Sequence, residues 1–192
     1  MQTTIYMIRH AESPFVFGKE KTRELSKEGL EKAKRVAEIF KDIDVDLIAS
    51  SSYKRAIQTV EYLANKRNLP INKFEELRER PIKGLDYKLP WDELVKAIEK
   101  SFDDIDYSLR GGESTREAQE RSIPIMEKLL DEFKGKSIVI GTHGNIMTII
   151  MNYYNKEYGF NFWNSTSMPD IYKLSFVSNE LKNVERLWDP EL

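Results

Sequence analysis

The chain has 192 residues, of which 40% are apolar and 32% are charged, and its formal net charge is −2. This near-balance of charge argues against nucleic acid as a partner, and the absence of cysteine excludes disulfides, thiolate metal sites and cysteine nucleophiles. The length fits a single domain over residues 1–192, and because no segment approaches the roughly 20 apolar residues of a membrane span, we expect no membrane partner and a cytoplasmic location.

The first predicted strand covers residues 3–8 and runs directly into Arg9 and His10. Its apolar and β-branched residues are typical of a buried strand. Ligands of open α/β sheets bind beyond the carboxyl ends of the strands, so His10 is a candidate site residue. On its own, a histidine at a strand end is more often structural.

A helix and a second strand follow along the chain. Residues 26–43 keep the apolar spacing of one helix face, with Ser26 as the N-cap, and residues 45–49 form the strand. The serines after this strand are expected to cap another helix, with Arg55 in its first turn. A cation is unfavourable at that end of a helix, and a bound phosphoryl group would compensate for it. An arginine turned toward solvent is the alternative interpretation.

The least regular part of the chain is an excursion at residues 80–112, which is interrupted by proline and glycine. A lid over one end of the sheet and a plain surface insertion are equally good interpretations of it. A helix at residues 114–133 follows, because Ser114 and Glu117 form a capping-box pair. Pro124 is expected to kink this helix.

Further strands are predicted at residues 137–141 and 171–176, with a weaker one at 71–74. The strand at 137–141 leads into His143, so both histidines of the chain follow the carboxyl end of a strand. Alternation of strands and helices predicts an α/β fold, a three-layer α/β/α sandwich with a mainly parallel sheet.

Two arginines and two histidines near the strand ends would form a site for a dianion. The guanidinium groups of Arg9 and Arg55 match phosphate oxygens and stay charged. They should also keep a neighbouring imidazole neutral, with a free lone pair. A neutral imidazole facing a charge-neutralised phosphorus is a nucleophile, and attack would give a phosphohistidine without a metal.

Five short segments resemble the histidine phosphatase superfamily, which includes cofactor-dependent phosphoglycerate mutases and many small phosphatases. They occur in the order typical of that family and extend from residue 9 to residue 145. The resemblance implies a phosphoglycerate mutase-like fold. The segments are RHAES at 9–13, LSKEG at 25–29, SYKRAIQT at 52–59, GES at 112–114 with Arg121, and HGN at 143–145.

The resemblance also implies a role for each matching residue. His10 would accept the phosphoryl group, and Arg9 and Arg55 would clamp it. His143 would donate a hydrogen bond to the transferring group, and Asn145 would add a further contact.

The proton donor implied by the resemblance is a glutamate two residues after a leucine, which selects Glu79, with Glu76 as the second choice. The asparagine that the family often carries six positions after the nucleophile is replaced here by Val16. Arg23 is the candidate to replace the lost contact, and Ser13 is also assigned to phosphate binding.

These residues predict a phosphatase that hydrolyses a phosphomonoester and needs no cofactor or metal. The expected substrate is a small phosphorylated metabolite, with a phosphoprotein as the alternative; its identity and the oligomeric state are left open. The other candidates are a phosphoglycerate mutase and a catalytically weak binding module for a phospho-ligand or phosphoprotein. The binding module is considered because the family's glycine usually follows the acid by four positions, whereas Gly84 follows Glu79 by five. A two-histidine metal site completed by Glu12 or Glu79 is disfavoured, because the arginines would repel a cation.

Overall fold

A six-stranded sheet with helices on both faces forms the framework, described for residues 1–192 by a computed structural model. None of its helices combines the length and apolarity that crossing a membrane requires. The strands are β1 (Gln2–Arg9), β2 (Leu47–Ser51), β3 (Ile71–Phe74), β4 (Ser137–Thr142), β5 (Asp170–Val177) and β6 (Glu180–Arg186). The helices are α1 (Lys27–Ile39), α2 (Lys54–Arg67), α3 (Trp91–Asp103), α4 (Thr115–Glu132), α5 (Gly144–Tyr154) and α6 (Phe160–Ser165), and a 3₁₀ turn covers Glu75–Leu77.

The strand order is β3-β2-β4-β1-β5-β6, in which the first four strands pair in parallel and β5 pairs antiparallel with both β1 and β6. This confirms the predicted mainly parallel sheet. Arg9 pairs in register with Thr142, so β1 and β4 end level with each other. His10 and His143 therefore follow the carboxyl ends of two neighbouring central strands and lie side by side.

Each face of the sheet carries its own apolar core, which confirms the three-layer arrangement. Alternate residues of β1 point to opposite faces, as the pleat of a strand requires. Ile5 and Met7 pack in the core under α4 and α5, whereas Tyr6 and Ile8 pack in the core under α1 and α2. The first core includes Met126, Leu129, Ile146 and Ile150, and the second includes Val36, Phe40, Val60 and Leu63.

Helix starts are closer to the predictions than helix ends. Ser26 caps α1 by accepting a hydrogen bond from the Gly29 N–H, but the helix ends at Ile39, four residues before the predicted end. The capping box of Ser114 and Glu117 is formed at the start of α4. This helix continues without interruption through Pro124.

Residues 80–112 are more regular than predicted, because they contain α3. This helix buries Ala97, Ile98 and Ser101, and the Thr115 hydroxyl donates to the Ser101 carbonyl at 2.6 Å. The surrounding prolines and glycines obscured its helical spacing in the sequence. The prediction also missed α5, α6 and the edge strand β6.

Candidate active site

His10 stands at the end of β1 with a defined proton position. Its Nδ1 atom lies 2.7 Å from the carbonyl oxygen of Ala11. Because a carbonyl oxygen can only accept, Nδ1 of the neutral ring carries the proton and Nε2 keeps its lone pair. The backbone N–H of His10 also donates to the Thr142 carbonyl at 2.9 Å, which ties the residue to the end of β4. The nitrogen available for chemistry is therefore Nε2.

His143 lies beside His10, with the two ring centroids 5.3 Å apart. It is fully buried, and its Nε2 atom is 2.8 Å from Ser51 Oγ. That oxygen also accepts a hydrogen bond from the Tyr53 N–H at 3.2 Å. A hydroxyl can donate to an imidazole nitrogen or accept from it, so the contact is compatible with either tautomer of His143. Nδ1 is buried and has no hydrogen-bond partner within the chain. It carries the proton when the Ser51 hydroxyl is the donor to Nε2.

Both imidazoles are held in the neutral form by their surroundings. Burial lowers the pKa of His10 and of His143 well below 6.5, and the charge of Arg55 lowers each pKa further. Arg9 acts in the same direction at a smaller magnitude. At neutral pH, His10 is therefore a free base.

Arg9 and Arg55 flank the histidines from two different elements. Arg9 donates through Nη1 to the Thr166 hydroxyl at 2.5 Å and to the Thr166 carbonyl at 3.3 Å. A Cβ atom at Gly144 would lie only 2.8 Å from Arg9 Cζ, so glycine makes room for the guanidinium. Arg55, in the first turn of α2, is almost fully buried, and burial lowers its pKa to about 10.

Three buried nitrogens of this cluster have no hydrogen-bond partner: Arg9 Nε, Arg55 Nε and His143 Nδ1. Leaving a buried donor unpaired is costly, and most such groups in proteins are paired. Two of the three belong to cations whose charges lower the pKa of His10, and the third belongs to the ring whose centroid is 5.3 Å from that of His10. This set of donors fits an oxyanion held next to the His10 imidazole.

Glu79 is anchored at the start of α5, next to the same cluster. Its Oε1 atom accepts from the N–H groups of Ile146 and Arg80, both at 2.9 Å, and Oε2 accepts from the Asn145 N–H at 3.1 Å. Its negative charge raises the pKa values of Arg9 and of Arg55, although burial of each arginine has the larger effect. The second choice for the acid, Glu76, is exposed.

Asn145 is held by an arginine that the sequence did not single out. Its side-chain oxygen accepts from Arg80 Nη2 at 2.7 Å, and Arg80 Nη1 is 3.3 Å from Thr115 Oγ1. Burial lowers the pKa of Arg80 to about 10. Arg80 thus links Asn145 to the start of α4. Its one sequence signal is its position directly after Glu79.

Ser13 and Arg23 belong to the loop that follows His10, where they contact each other. The Ser13 hydroxyl donates to the Glu24 carbonyl at 2.7 Å, and Arg23 Nη1 donates to the Ser13 carbonyl at 2.7 Å. Arg23 lowers the pKa of His10, but less than Arg55 does. Val16 is 48% exposed. The Ser13 hydroxyl is thus engaged by the loop backbone.

The start of α2 differs from the prediction. Tyr53 is the N-cap residue and makes no side-chain capping bond, so no serine caps this helix. The N–H of Lys54 donates to the Lys21 carbonyl at 3.0 Å. The anion that compensates Arg55 belongs to the chain itself: Glu20 Oε2 lies 3.1 Å from Arg55 Nη2. Nothing in the sequence singled out Glu20.

No three His, Cys, Asp or Glu side chains come together in a group that could hold a metal ion. The two histidines therefore do not share a ligand set with Glu12 or Glu79.

Comparisons with known proteins identify the family of this chain. The family model of the histidine phosphatase superfamily (branch 1) matches residues 5–183. Phosphoglycerate mutase-like protein 4 of Arabidopsis thaliana is 30% identical over 174 residues, which are 86% of this chain and 70% of that protein. Fructose-2,6-bisphosphatase of Saccharomyces cerevisiae is 28% identical over 183 residues, covering 88% of this chain but only 38% of that protein.

Solved structures share the fold at lower sequence identity. Mycobacterial glucosyl-3-phosphoglycerate phosphatase is 20% identical, with a TM-score of 0.75 and coverage of 97% of both chains. Phosphoserine phosphatase of Entamoeba histolytica, solved as a variant with phosphoserine, is 20% identical, with a TM-score of 0.76 and coverage of 95% of this chain and 96% of that one. The phosphoglycerate mutase-like fold is thereby confirmed.

Proposed function

The chain belongs to the histidine phosphatase superfamily, and from that membership we propose that it is a metal-independent phosphomonoesterase acting through a phosphohistidine on His10. The observation that carries the proposal is the neutral His10 ring beside three unpaired buried nitrogens, on Arg9, Arg55 and His143. A nucleophilic nitrogen and a set of donors for a dianion are the two parts that phosphoryl transfer needs.

In the proposed first step, Nε2 of His10 attacks phosphorus. The N–P bond forms while the bond from phosphorus to the leaving oxygen breaks, and Glu79 in its protonated form gives that oxygen a proton. The Nδ1–H bond to the Ala11 carbonyl, 2.7 Å long, stabilises the positive charge that develops on the ring. Arg9, Arg55 and His143 Nδ1–H neutralise the charge on the phosphoryl oxygens.

In the second step, water replaces the leaving group. Glu79, now a carboxylate, takes a proton from water as the oxygen attacks phosphorus. The N–P bond breaks, inorganic phosphate forms, and the His10 ring returns to its neutral state with its lone pair on Nε2. The contacts of Glu79 with the backbone of Asn145 and Ile146 would keep the carboxyl group in one place through both steps.

Hydrolysis is proposed in preference to mutase activity. Several solved proteins of the same fold are named as phosphatases, although a phosphoglycerate mutase-like protein is among the sequence relatives. The segment that follows Glu79 is also less complete than the corresponding acid segment of the mutases. Asn145 and Arg23 are proposed as additional phosphate contacts. Because the Ser13 hydroxyl already donates to the Glu24 carbonyl, Ser13 is assigned a contact through its backbone only.

A small phosphorylated metabolite is the proposed substrate class, with a phosphoprotein as the alternative. Residues 80–112 are proposed to cover the site, since they follow Glu79 directly and Arg80 contacts Asn145 at 2.7 Å. A binding module without an effective acid is the second candidate. It is favoured by the spacing from Glu79 to Gly84, which is one residue longer than the usual spacing in the family.

Phosphate release from a panel of phosphorylated metabolites and from a generic aryl phosphate tests the proposal, with a chelator present throughout. We expect release from both alkyl and aryl esters. Release from the aryl ester alone would indicate a missing acid and favour the binding module, because an aryl oxide departs without a proton. Interconversion of phosphoglycerates in a coupled assay, without net release, would instead identify a mutase. Loss of release with chelator would contradict metal independence.

A further inference from the structure

A carboxylate of the chain itself is seated on the proposed phosphate clamp. Glu20 Oε2 is 3.1 Å from Arg55 Nη2, and Glu20 Oε1 is 3.3 Å from Arg23 Nε. The Glu20 carbonyl also accepts from Arg55 Nη1. One residue of the loop after His10 therefore contacts both terminal nitrogens of Arg55.

The two clamp arginines differ in this respect. Arg9 is held by the uncharged hydroxyl and carbonyl of Thr166, whereas Arg55 is held by a carboxylate. The side chain of Arg55 is only 1% exposed, but that of Glu20 is 37% exposed. The carboxylate thus reaches inward from solvent onto a buried cation. The Glu20 carboxylate can therefore turn from Arg55 to solvent. The contact of the Glu20 carbonyl with Arg55 Nη1 does not depend on the position of the carboxylate.

We propose that Glu20 is an affinity-determining residue, whose carboxylate competes with the phosphoryl group for Arg55 and leaves it when phosphate binds. This rests on the proposed function, in which Arg55 clamps the phosphoryl group. A fork-shaped contact with phosphate uses Nη2 of Arg55, the atom that Glu20 occupies. A carboxylate and a phosphate dianion on the same guanidinium would also repel each other.

The competition has two consequences for turnover. Glu20 keeps the buried Arg55 paired when no phosphate is bound, and an unpaired buried charge is strongly unfavourable. It also weakens the binding of free inorganic phosphate, because each binding event has to break the Glu20 contact. Weak product binding assists release, and contacts to the rest of a substrate would then decide which esters are held.

The opposite role for Glu20 is to hold the Arg55 guanidinium in its productive orientation. The two roles predict opposite signs for the same variant. If Glu20 competes, removing its charge strengthens phosphate binding; if it only orients Arg55, removing its charge weakens binding.

Titration calorimetry with inorganic phosphate and with vanadate, on the full-length chain, separates these roles. We expect Glu20→Gln to lower the Kd of both anions roughly tenfold, the change expected when a charge-assisted competitor is lost, and to lower the KM for an aryl phosphate in parallel. Glu24→Gln is the matched control: Glu24 lies on the same loop, its side chain is 62% exposed, and it faces Lys54 at 3.7 Å. Its Kd should stay within about twofold of the parent.

Glu20→Asp is the second variant, because it keeps the charge but shortens the reach to Arg55; its Kd should fall by a smaller factor. An unchanged or higher Kd in Glu20→Gln, with the parent protein still binding phosphate, would overturn the proposal for Glu20 and leave the phosphatase proposal intact. If neither anion bound to the parent or to either Glu20 variant, the proposed phosphate site itself would be wrong.

Discussion

Ser51 Oγ lies 2.8 Å from Nε2 of His143, and this buried contact holds the ring of the second histidine in place. Ser51 precedes His143 by 92 residues, and the two meet because β2 and β4 are neighbouring parallel strands. When Nε2 accepts from the hydroxyl, the proton of His143 is on Nδ1, one of the three unpaired buried nitrogens of the site. The hydroxyl of Ser51 thereby positions the Nδ1–H group of His143, which is the proposed donor to the phosphoryl group.

Ser51→Ala should reduce kcat/KM roughly 10-fold to 100-fold, because His143 loses the contact that holds its proton on Nδ1 and so donates less effectively to the phosphoryl group. Ser51→Thr keeps the hydroxyl and should recover most of the activity. Ser52→Ala is the control, since Ser52 is partly exposed and contacts Glu75 instead. Equal activity in Ser51→Ala and Ser52→Ala would remove the proposed role of the hydroxyl.

Arg55→Lys should lose most activity while the protein remains folded. Lysine keeps the charge but lacks the planar fork, and a contact that strengthens in the transition state is typically worth ~2 to 4 kcal/mol, or roughly 30-fold to 1000-fold in rate. Steady-state kinetics together with a melting curve measure both effects. Arg116→Lys, at an exposed pair with Asp106, is the control. Activity within a factor of about three of the parent would show that Arg55 is not a phosphate clamp.

His10 should carry a phosphoryl group during turnover. Rapid quenching should capture it on the peptide that contains Arg9 and His10, in the acid-labile and base-stable form expected of a phosphoramidate. His143 should carry none, because its Nε2 atom is engaged with Ser51 and its Nδ1 atom is proposed to donate to the phosphoryl group. His10→Ala should abolish both labelling and turnover. Label on His143, or substantial turnover in His10→Ala, would leave the arginines as a binding site without this chemistry.

Glu79→Gln should slow the hydrolysis of alkyl phosphates much more than that of aryl phosphates. The departing alkoxide needs a proton, whereas an aryl oxide needs little help. The measurement is the ratio of kcat/KM values for the two ester types. Glu76→Gln is the matched control, because Glu76 is exposed. A larger change of this ratio in Glu76→Gln would transfer the acid role to Glu76. Melting curves check that the start of α5 is still supported in the Glu79→Gln variant.

The two buried histidines should make folding stability depend on pH in a defined window. Their pKa values are lowered well below 6.5, by burial first and by Arg55 second. Below about pH 6.5 the unfolded chain binds protons that the folded chain excludes, so stability falls as pH decreases toward the lowered pKa values; above that window the histidines contribute no pH dependence.

The test is denaturant unfolding of the parent and of His143→Asn between about pH 7.5 and about pH 5.5. Asparagine does not titrate, so the variant should lose less stability on acidification, by up to about 1.4 kcal/mol per pH unit. His10→Asn should behave in the same way. Parallel pH profiles for parent and variants would indicate that the histidines are accessible to protons in the folded protein.

The sequence alone predicted the framework and the strand ends at which the proposed site lies. Strand alternation, the Ser26 cap and the capping box of Ser114 and Glu117 are encoded within a few adjacent residues, so their signals survive without any knowledge of packing. The parallel sheet follows from these elements, and it brings His10 and His143 together at the carboxyl ends of β1 and β4. Both histidines and Arg55 could therefore be selected from local patterns and a family resemblance.

Contacts between distant residues were decided only by the tertiary structure. Glu20 on Arg55, Ser51 on His143 and the Glu79 carboxylate at the start of α5 join residues that are 35, 92 and at least 66 positions apart. No local pattern specifies such pairs, because each depends on how loops and strand ends pack together. Burial is also a property of the packed chain, and it is the main cause of the lowered pKa values that keep both imidazoles neutral.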